Sequence, residues 1–279
     1  MMETLHRLFR HKGAAFGVGV IALVVILAAT ASILYPDGPF EMVGGTFEPP
    51  FQHVHPLGTD GLGRDVLTSI VYGTRVSLLV AIISTVVAVT VGVLVGAVSG
   101  YYGGRLDDLI MRVTELFQTI PSFVFAVVLI AIFTPNIGSI VAAISVVSWP
   151  PVARLVRGEF LAIRHREYVE AAVVLGVSTP RIIFVEILPN VVSPVVVLAS
   201  LMVANAILLE AGISFLGLGD QNLMSWGYMI GEGRSTIRDA WWLSVFPGIA
   251  VVATVLALNL IGDGLNDALN PRLARRGRA

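Results

Sequence analysis

Six stretches without a single charged residue, each close to the length of a membrane crossing, constrain this chain more than any other feature. They occupy residues 14–34, 76–98, 116–133, 137–153, 191–209 and 241–261. Spanning the hydrocarbon of a bilayer takes about 20 apolar residues as an α-helix. Lipid offers the backbone no hydrogen-bond partner, so such runs must satisfy their own N–H and C=O groups as helices. Alternation with period two is absent, which argues against a barrel. Only Thr134, Pro135 and Asn136 separate the third run from the fourth, and this turn chemistry predicts a hairpin rather than one long helix. The expected fold class is all-α, a polytopic membrane protein with six transmembrane helices.

Composition agrees. Of 279 residues, 56% are hydrophobic and 13% charged, where soluble domains carry about 25% charged residues. The net charge of −1 offers no basic surface for nucleic acid, and the absence of cysteine removes disulfides, thiol catalysis and zinc-thiolate sites. Arg7, Arg10, His11 and Lys12 before the first run resemble the start of a signal peptide, but the run exceeds a signal h-region of about 7–15 residues. It is read as a first span that is retained.

Arginine and lysine set the expected orientation. With the N-terminus inside, the inner segments hold 14 of the 18 cations, among them Arg105, Arg112, Arg154, Arg157, Arg164, Arg166 and Arg181. The outer segments hold Arg64, Arg75, Arg234 and Arg238 among several acids. Both termini are therefore expected in the cytoplasm of a cell whose inner or plasma membrane carries the chain. Three connecting segments are long enough to be functional: outer residues 36–75 and 212–240, and inner residues 154–189.

The inner segment predicts a helix over 159–175, a left-handed Gly176, and a second short helix capped by Thr179. Pro180 suits the first position of that helix, and Pro189 with Asn190 marks re-entry to the membrane. Ala171 and Ala172 keep one face low for a partner backbone, and Glu170 offers a charge to flanking arginines. Two readings stand: a loop helix that solvates the membrane edge, or a handle seated in a groove of a soluble partner.

Glu170-Ala171-Ala172, Gly176 and Leu188-Pro189 resemble the EAA loop of ABC importer permeases. Glu186 departs from the pattern, which often has Ile three residues before the proline; here Ile187 follows. Two outer stretches resemble signatures of the dipeptide, oligopeptide and nickel permeases. The first is His55-Pro56-Leu57-Gly58-Thr59-Asp60, through Gly63-Arg64-Asp65, to Gly73-Thr74-Arg75-Val76-Ser77-Leu78. The second is Ser214-Phe215-Leu216-Gly217-Leu218-Gly219, then Ser225-Trp226-Gly227. The three motifs stand in order along nearly the whole chain.

The resemblance implies a type I ABC importer permease fold and a place as the C-type member of a permease pair. It implies a homologous second permease, two ATPase subunits holding ATP and magnesium, and an extracytoplasmic substrate-binding protein. Residues 1–75 would form the tail, first span and outer loop. Residues 76–279 would form the core, with 154–189 as the coupling loop. The expected cargo is di- or oligopeptide; nickel or another small solute is the alternative, and an ion-driven secondary transporter a more distant one.

No other chemistry finds a foothold. Gly61-x-Gly63 and Gly217-x-Gly219 sit in no βαβ unit, and Lys12 is followed by Gly13 and Ala14, so neither dinucleotide nor Walker A binding is indicated. His53-x-His55 lacks a third metal ligand. Arg64 between Asp60 and Asp65 reads either as the brace of a self-supporting loop or as part of a surface for a binding protein. Glu210, Asp263 and Glu115 fall near the ends of spans, where snorkelling or helix pairing is expected.

Overall fold

The computed structural model describes residues 11–51 and 54–269. Its first helix, α1 (Lys12–Leu34), is followed by an irregular segment that holds two isolated β-bridges. The helix α2 (Val66–Tyr102) comes next, and then α3 (Gly104–Thr119) and α4 (Ser122–Ile132). A hairpin leads to α5 (Ile137–Ile163), a turn to α6 (Glu167–Val174), and a glycine bend to α7 (Leu188–Ile213). The short α8 (Trp226–Gly233) and the long α9 (Trp242–Leu269) complete the described residues. Five helices are long and apolar enough to cross a membrane, and the bent pair α3–α4 makes a sixth.

The hairpin at Pro135 is present. Asn136 accepts a 3.0 Å bond from the Ser139 N–H, and the Asn136 N–H donates to the Ser139 hydroxyl, a reciprocal cap that starts α5.

The third run bends where its proline allows, with α3 and α4 meeting at 85°, while two other expectations need correction. Pro121 forces Ile120 into an extended conformation (φ −94°, ψ 131°) and is itself non-helical, so the helix stops and restarts in a new direction. The helix expected over 159–175 is two: α5 runs on to Ile163, residues 164–166 turn, and α6 begins at Glu167. Nor does Pro189 end a short helix. One continuous rod of 40 residues runs from Thr179 to Leu218. Proline has no N–H and its ring crowds the carbonyl four residues back. The rod absorbs both by widening into a π-helical turn over Ile182–Ile187, where the Leu188 N–H reaches back to the Ile183 carbonyl. The Asn190 side chain donates 2.8 Å to the Glu186 carbonyl. Pro150, Pro151 and Pro194 lie inside continuous helices.

The helices pack through small residues, as expected where lipid removes the hydrophobic drive between spans. Gly92, Gly96 and Gly100 form one face of α2, and α5 lies directly upon them. A Cβ on Gly96 would stand 2.5 Å from the Ala153 carbonyl oxygen, and one on Gly92 2.5 Å from the Val152 Cβ. On the opposite flank α1 lies along α9, where a Cβ on Gly17 would meet the Ala257 oxygen at 2.5 Å. Three apolar clusters follow the bundle: a central one around Ile130, Ile144 and Ile207, one around Phe160, Ile182 and Ile187, and one around Val66, Met224 and Trp242. The bundle has two distinct ends. A shelf built from residues 36–51, residues 54–65 and α8 closes one, and the 164–178 loop projects from the other.

Candidate functional site

At the shelf end the first outer motif folds into a brace. Asp60 accepts bonds from the backbone N–H groups of Leu62 (2.8 Å) and Arg64 (2.9 Å), and its other oxygen receives Arg64 Nε at 2.5 Å. Burial works against the Arg64 charge, but the bond and charge of Asp60, together with Tyr228, outweigh it and hold the guanidinium above its ordinary pKa. Asp65 does not share this network. It caps α2 by accepting from the Thr68 N–H (2.8 Å) and hydroxyl (2.7 Å), and its second oxygen lies 3.1 Å from His55 Nδ1. Gly58 (φ 81°) and Gly63 (φ 76°) take left-handed turns that side chains rarely adopt. A Cβ on Gly63 would also clash with the Gly44 carbonyl oxygen. His53 lies outside the described residues.

The second outer motif locks onto the first. Trp226 is buried, and its indole N–H donates 3.1 Å to the Ile70 carbonyl. Its backbone N–H donates 3.3 Å to the Ser77 hydroxyl, which in turn donates 3.0 Å to Glu210. Gly73 makes room here: a Cβ would stand 3.1 Å from Trp226 Cδ1, a tight contact. Gly217 (φ 82°) ends the long rod, Gly219 packs on the Ser214 side chain, and Phe215 carries the Arg234 guanidinium over its ring. Glu210 pairs with no cation among the described residues. It is buried and takes hydroxyl bonds from Ser77 and Ser214, tying α2 to α7.

Sequence reasoning left Arg75 in a loop. It stands inside α2 instead, donating Nε to the Ala28 carbonyl and Nη2 to the Ala29 carbonyl (3.1 Å) and Ser32 hydroxyl (3.2 Å) of α1. No local pattern could have shown this, since its partners lie more than forty positions away.

At the other end, α6 is short and closed by glycine. Val177 N–H donates 3.0 Å to the Ala172 carbonyl and Gly176 N–H 3.0 Å to Val173, the paired bonds of a Schellman turn, with Gly176 at φ 75°. Nothing lies within 4 Å of a Cβ at Gly176, so backbone conformation and not crowding favours glycine. Ser178, not Thr179, occupies the cap of the next helix, which places Pro180 one residue deeper than the sequence suggested. Ala171 is exposed, whereas Ala172 turns inward with Val169 onto Phe160, Ile182 and Ile187. The low face therefore serves the chain's own packing at Ala172. Glu170 is exposed and faces His165 at 3.7 Å rather than an arginine. Beside it, Val174 and Leu175 are 86% and 81% exposed, an apolar tip next to the charged residues of the loop. Leu188 and Pro189 sit where the π-helical turn gives way to α7.

Behind this loop, Arg157 on α5 holds Asp107 on α3 through Nε and Nη2 (2.5 and 2.6 Å), and Ser99 of α2 donates to the same carboxylate. Arg164 donates to the carbonyls of Gly100 (3.3 Å) and Tyr101 (3.2 Å), closing the end of α2. The helix that leads into the loop is thus tied to both α2 and α3.

A broken apolar bundle with a shelf at one end and a glycine-closed helix at the other is the architecture of a polytopic membrane protein. The chain belongs to a family described as binding-protein-dependent transport system inner membrane component, whose profile matches residues 88–275. The N-terminal TM domain of oligopeptide transport permease C matches residues 1–50. Dipeptide transport system permease protein DppC of Escherichia coli is 42% identical over 98% of this chain and 93% of its own length. Oligopeptide transport system permease protein OppC of Haemophilus influenzae is 40% identical over 97% and 88%. A solved chain of the inward-facing MetNI methionine ABC transporter superposes with a TM-score of 0.61 at 18% identity, covering 72% of this chain and 96% of that one. The fold is that of a type I ABC importer permease.

Proposed function

We propose that this chain is the C-type permease subunit of an ATP-driven importer that carries di- or oligopeptides delivered by an extracytoplasmic binding protein. The observation that carries the coupling role is the 164–178 loop. It presents an exposed apolar tip at Val174 and Leu175, fixed in place by the Gly176 turn and backed by a buried face. Exposed apolar surface beside charge is what a groove in a soluble partner recognises. That partner is the ATPase subunit, which holds ATP and magnesium, one copy under this permease and one under its homologous mate. Both termini and the loop then face the cytoplasm, a placement that the arginine distribution supports.

The cargo assignment draws on the peptide-transport relatives named above. The shelf, with His55, Gly58, Asp60, Gly63, Arg64 and Asp65 on one side and Phe215, Gly217, Gly219 and Trp226 on the other, faces the binding protein. Residues 1–75 anchor the subunit, and residues 76–279 form the core with its coupling loop at 154–189. Motion at the loop reaches the bundle through α5 and the Arg157–Asp107 link.

The complete assembly in proteoliposomes tests the coupling role through Glu170→Ala, Leu175→Asp and Gly176→Val. Each is expected to leave the spans folded while lowering uptake per ATP hydrolysed by about tenfold, an energy of about 1.4 kcal/mol. Normal coupling in all three would remove the loop from the mechanism.

A further inference from the structure

A cleft of about 440 Å³ opens between α4, α5 and α7, where Ser122, Ser148 and Asn205 meet walls that include Val147, Met202 and Leu209. Its size falls within the range of small-molecule sites. Each polar residue comes from a different helix. At 1.5 Å per residue, Ser122 lies about 15 Å from Ile132, Ser148 about 17 Å from Ile137, and Asn205 about 12 Å from Ile213. Those helix ends share the shelf end of the bundle, since the Ile137 N–H donates 3.3 Å to Asp220, just beyond the rod. The three groups therefore lie well inside the bundle, about 12–17 Å along their own helices from that end.

Polar side chains at that depth are costly unless they face a partner or a water-filled path. Ser145, one turn from Ser148, returns its hydroxyl to the Val141 carbonyl at 2.7 Å. No such bond within the described residues engages the side chains of Ser122, Ser148 or Asn205. Together they supply an amide donor, an amide acceptor and two hydroxyls that do both, with no charge. That set complements a neutral group that donates and accepts side by side, as a peptide bond does. A metal ion would want carboxylate or imidazole, and a lipid ester only accepts.

We propose that the Ser122–Ser148–Asn205 cleft contacts the backbone amides of a peptide in transit; the inference rests on the peptide reading above. Gripping the backbone leaves cargo side chains to the apolar walls, where Met202 adapts to different shapes.

The absence of cysteine makes the test direct. Asn205→Cys is placed in the complete assembly and exposed to a membrane-impermeant maleimide during ATP-driven turnover, with trialanine or free alanine. Labelling of this subunit that falls at least threefold with trialanine and not with alanine supports the site. Absent labelling, or labelling indifferent to trialanine while trialanine uptake proceeds, overturns it. Asn205→Leu should lower trialanine uptake about tenfold without lowering the melting temperature, and Asn205→Gln should restore most of it. Unchanged uptake in Asn205→Leu also overturns the site. An unmodified assembly that imports no peptide sinks the peptide reading and this site with it, whereas normal peptide uptake indifferent to residue 205 sinks the site alone.

Discussion

Arg157 holds Asp107 with two parallel hydrogen bonds of 2.5 and 2.6 Å, although fifty residues separate them. Asp107 is almost wholly buried, while a third of the Arg157 side chain remains in water. Removing one partner of a buried pair costs about 3–5 kcal/mol, and water around Arg157 lowers the expected loss to about 2 kcal/mol. Arg157→Ala should therefore lower the melting temperature in detergent clearly, and Asp107→Asn less. The double variant Arg157→Leu with Asp107→Leu should recover part of the loss. Single variants that melt with the unmodified protein would show that the link contributes nothing.

The α2–α5 seam gives a second prediction. Gly96 meets the Ala153 oxygen so closely that even a methyl must push the helices apart. Overpacking of this kind costs about 1–3 kcal/mol. Gly96→Ala should lose that amount, and Gly96→Leu should fail to assemble. Gly158, on α5, has nothing within 4 Å of a Cβ. Gly158→Ala should be neutral or gain up to about 1 kcal/mol from helix propensity. Melting curves of the two alanine variants decide the point, and equal losses would contradict the packing described.

Much of this architecture is legible in the sequence, and the exceptions have physical causes. Hydropathy marks where a helix is apolar but carries no direction. It found residues 116–133, and Pro121 marked where the helix could bend, but neither gave the 85° angle. Leu188-Pro189 reads as a boundary because proline usually ends a helix. It sits mid-rod because a π-helical turn absorbs the missing donor. Gly176 was readable, since its left-handed turn is a local event. Ala172 was readable only as small: which way it faces depends on Phe160 and Ile187, which the α5 turn and the rod bring against it. The links of Trp226 to Ile70 and of Arg75 to α1 are tertiary, and so is the cleft at Asn205.

The shelf yields a third prediction. The Trp242 indole donates 3.0 Å to the Thr59 carbonyl, and both residues are buried. Trp242→Phe keeps the aromatic packing and leaves that carbonyl short of a donor, at about 1–3 kcal/mol. Faster cleavage within residues 36–65 by an added protease is the expected sign, with little change in α9. Cleavage at the unmodified rate would mean that Trp242 does not hold the shelf.

Gly176 separates backbone from contact. At φ 75° with open space around it, the position tolerates Asn far better than a β-branched residue. Gly176→Asn should keep most ATP-coupled uptake and Gly176→Val should lose most of it. Equal uptake in the two would argue that the turn is not what positions the loop.

The most direct measurement is peptide uptake by the complete assembly in proteoliposomes. It should contain this chain, its partner permease and the ATPase subunits, with a peptide-loaded binding protein outside and ATP inside. Uptake that needs both ATP and the binding protein, and that falls about tenfold per ATP hydrolysed in Leu175→Asp, is the predicted result. Uptake that runs on an ion gradient without ATP, or that ignores the loop variant, would contradict the account.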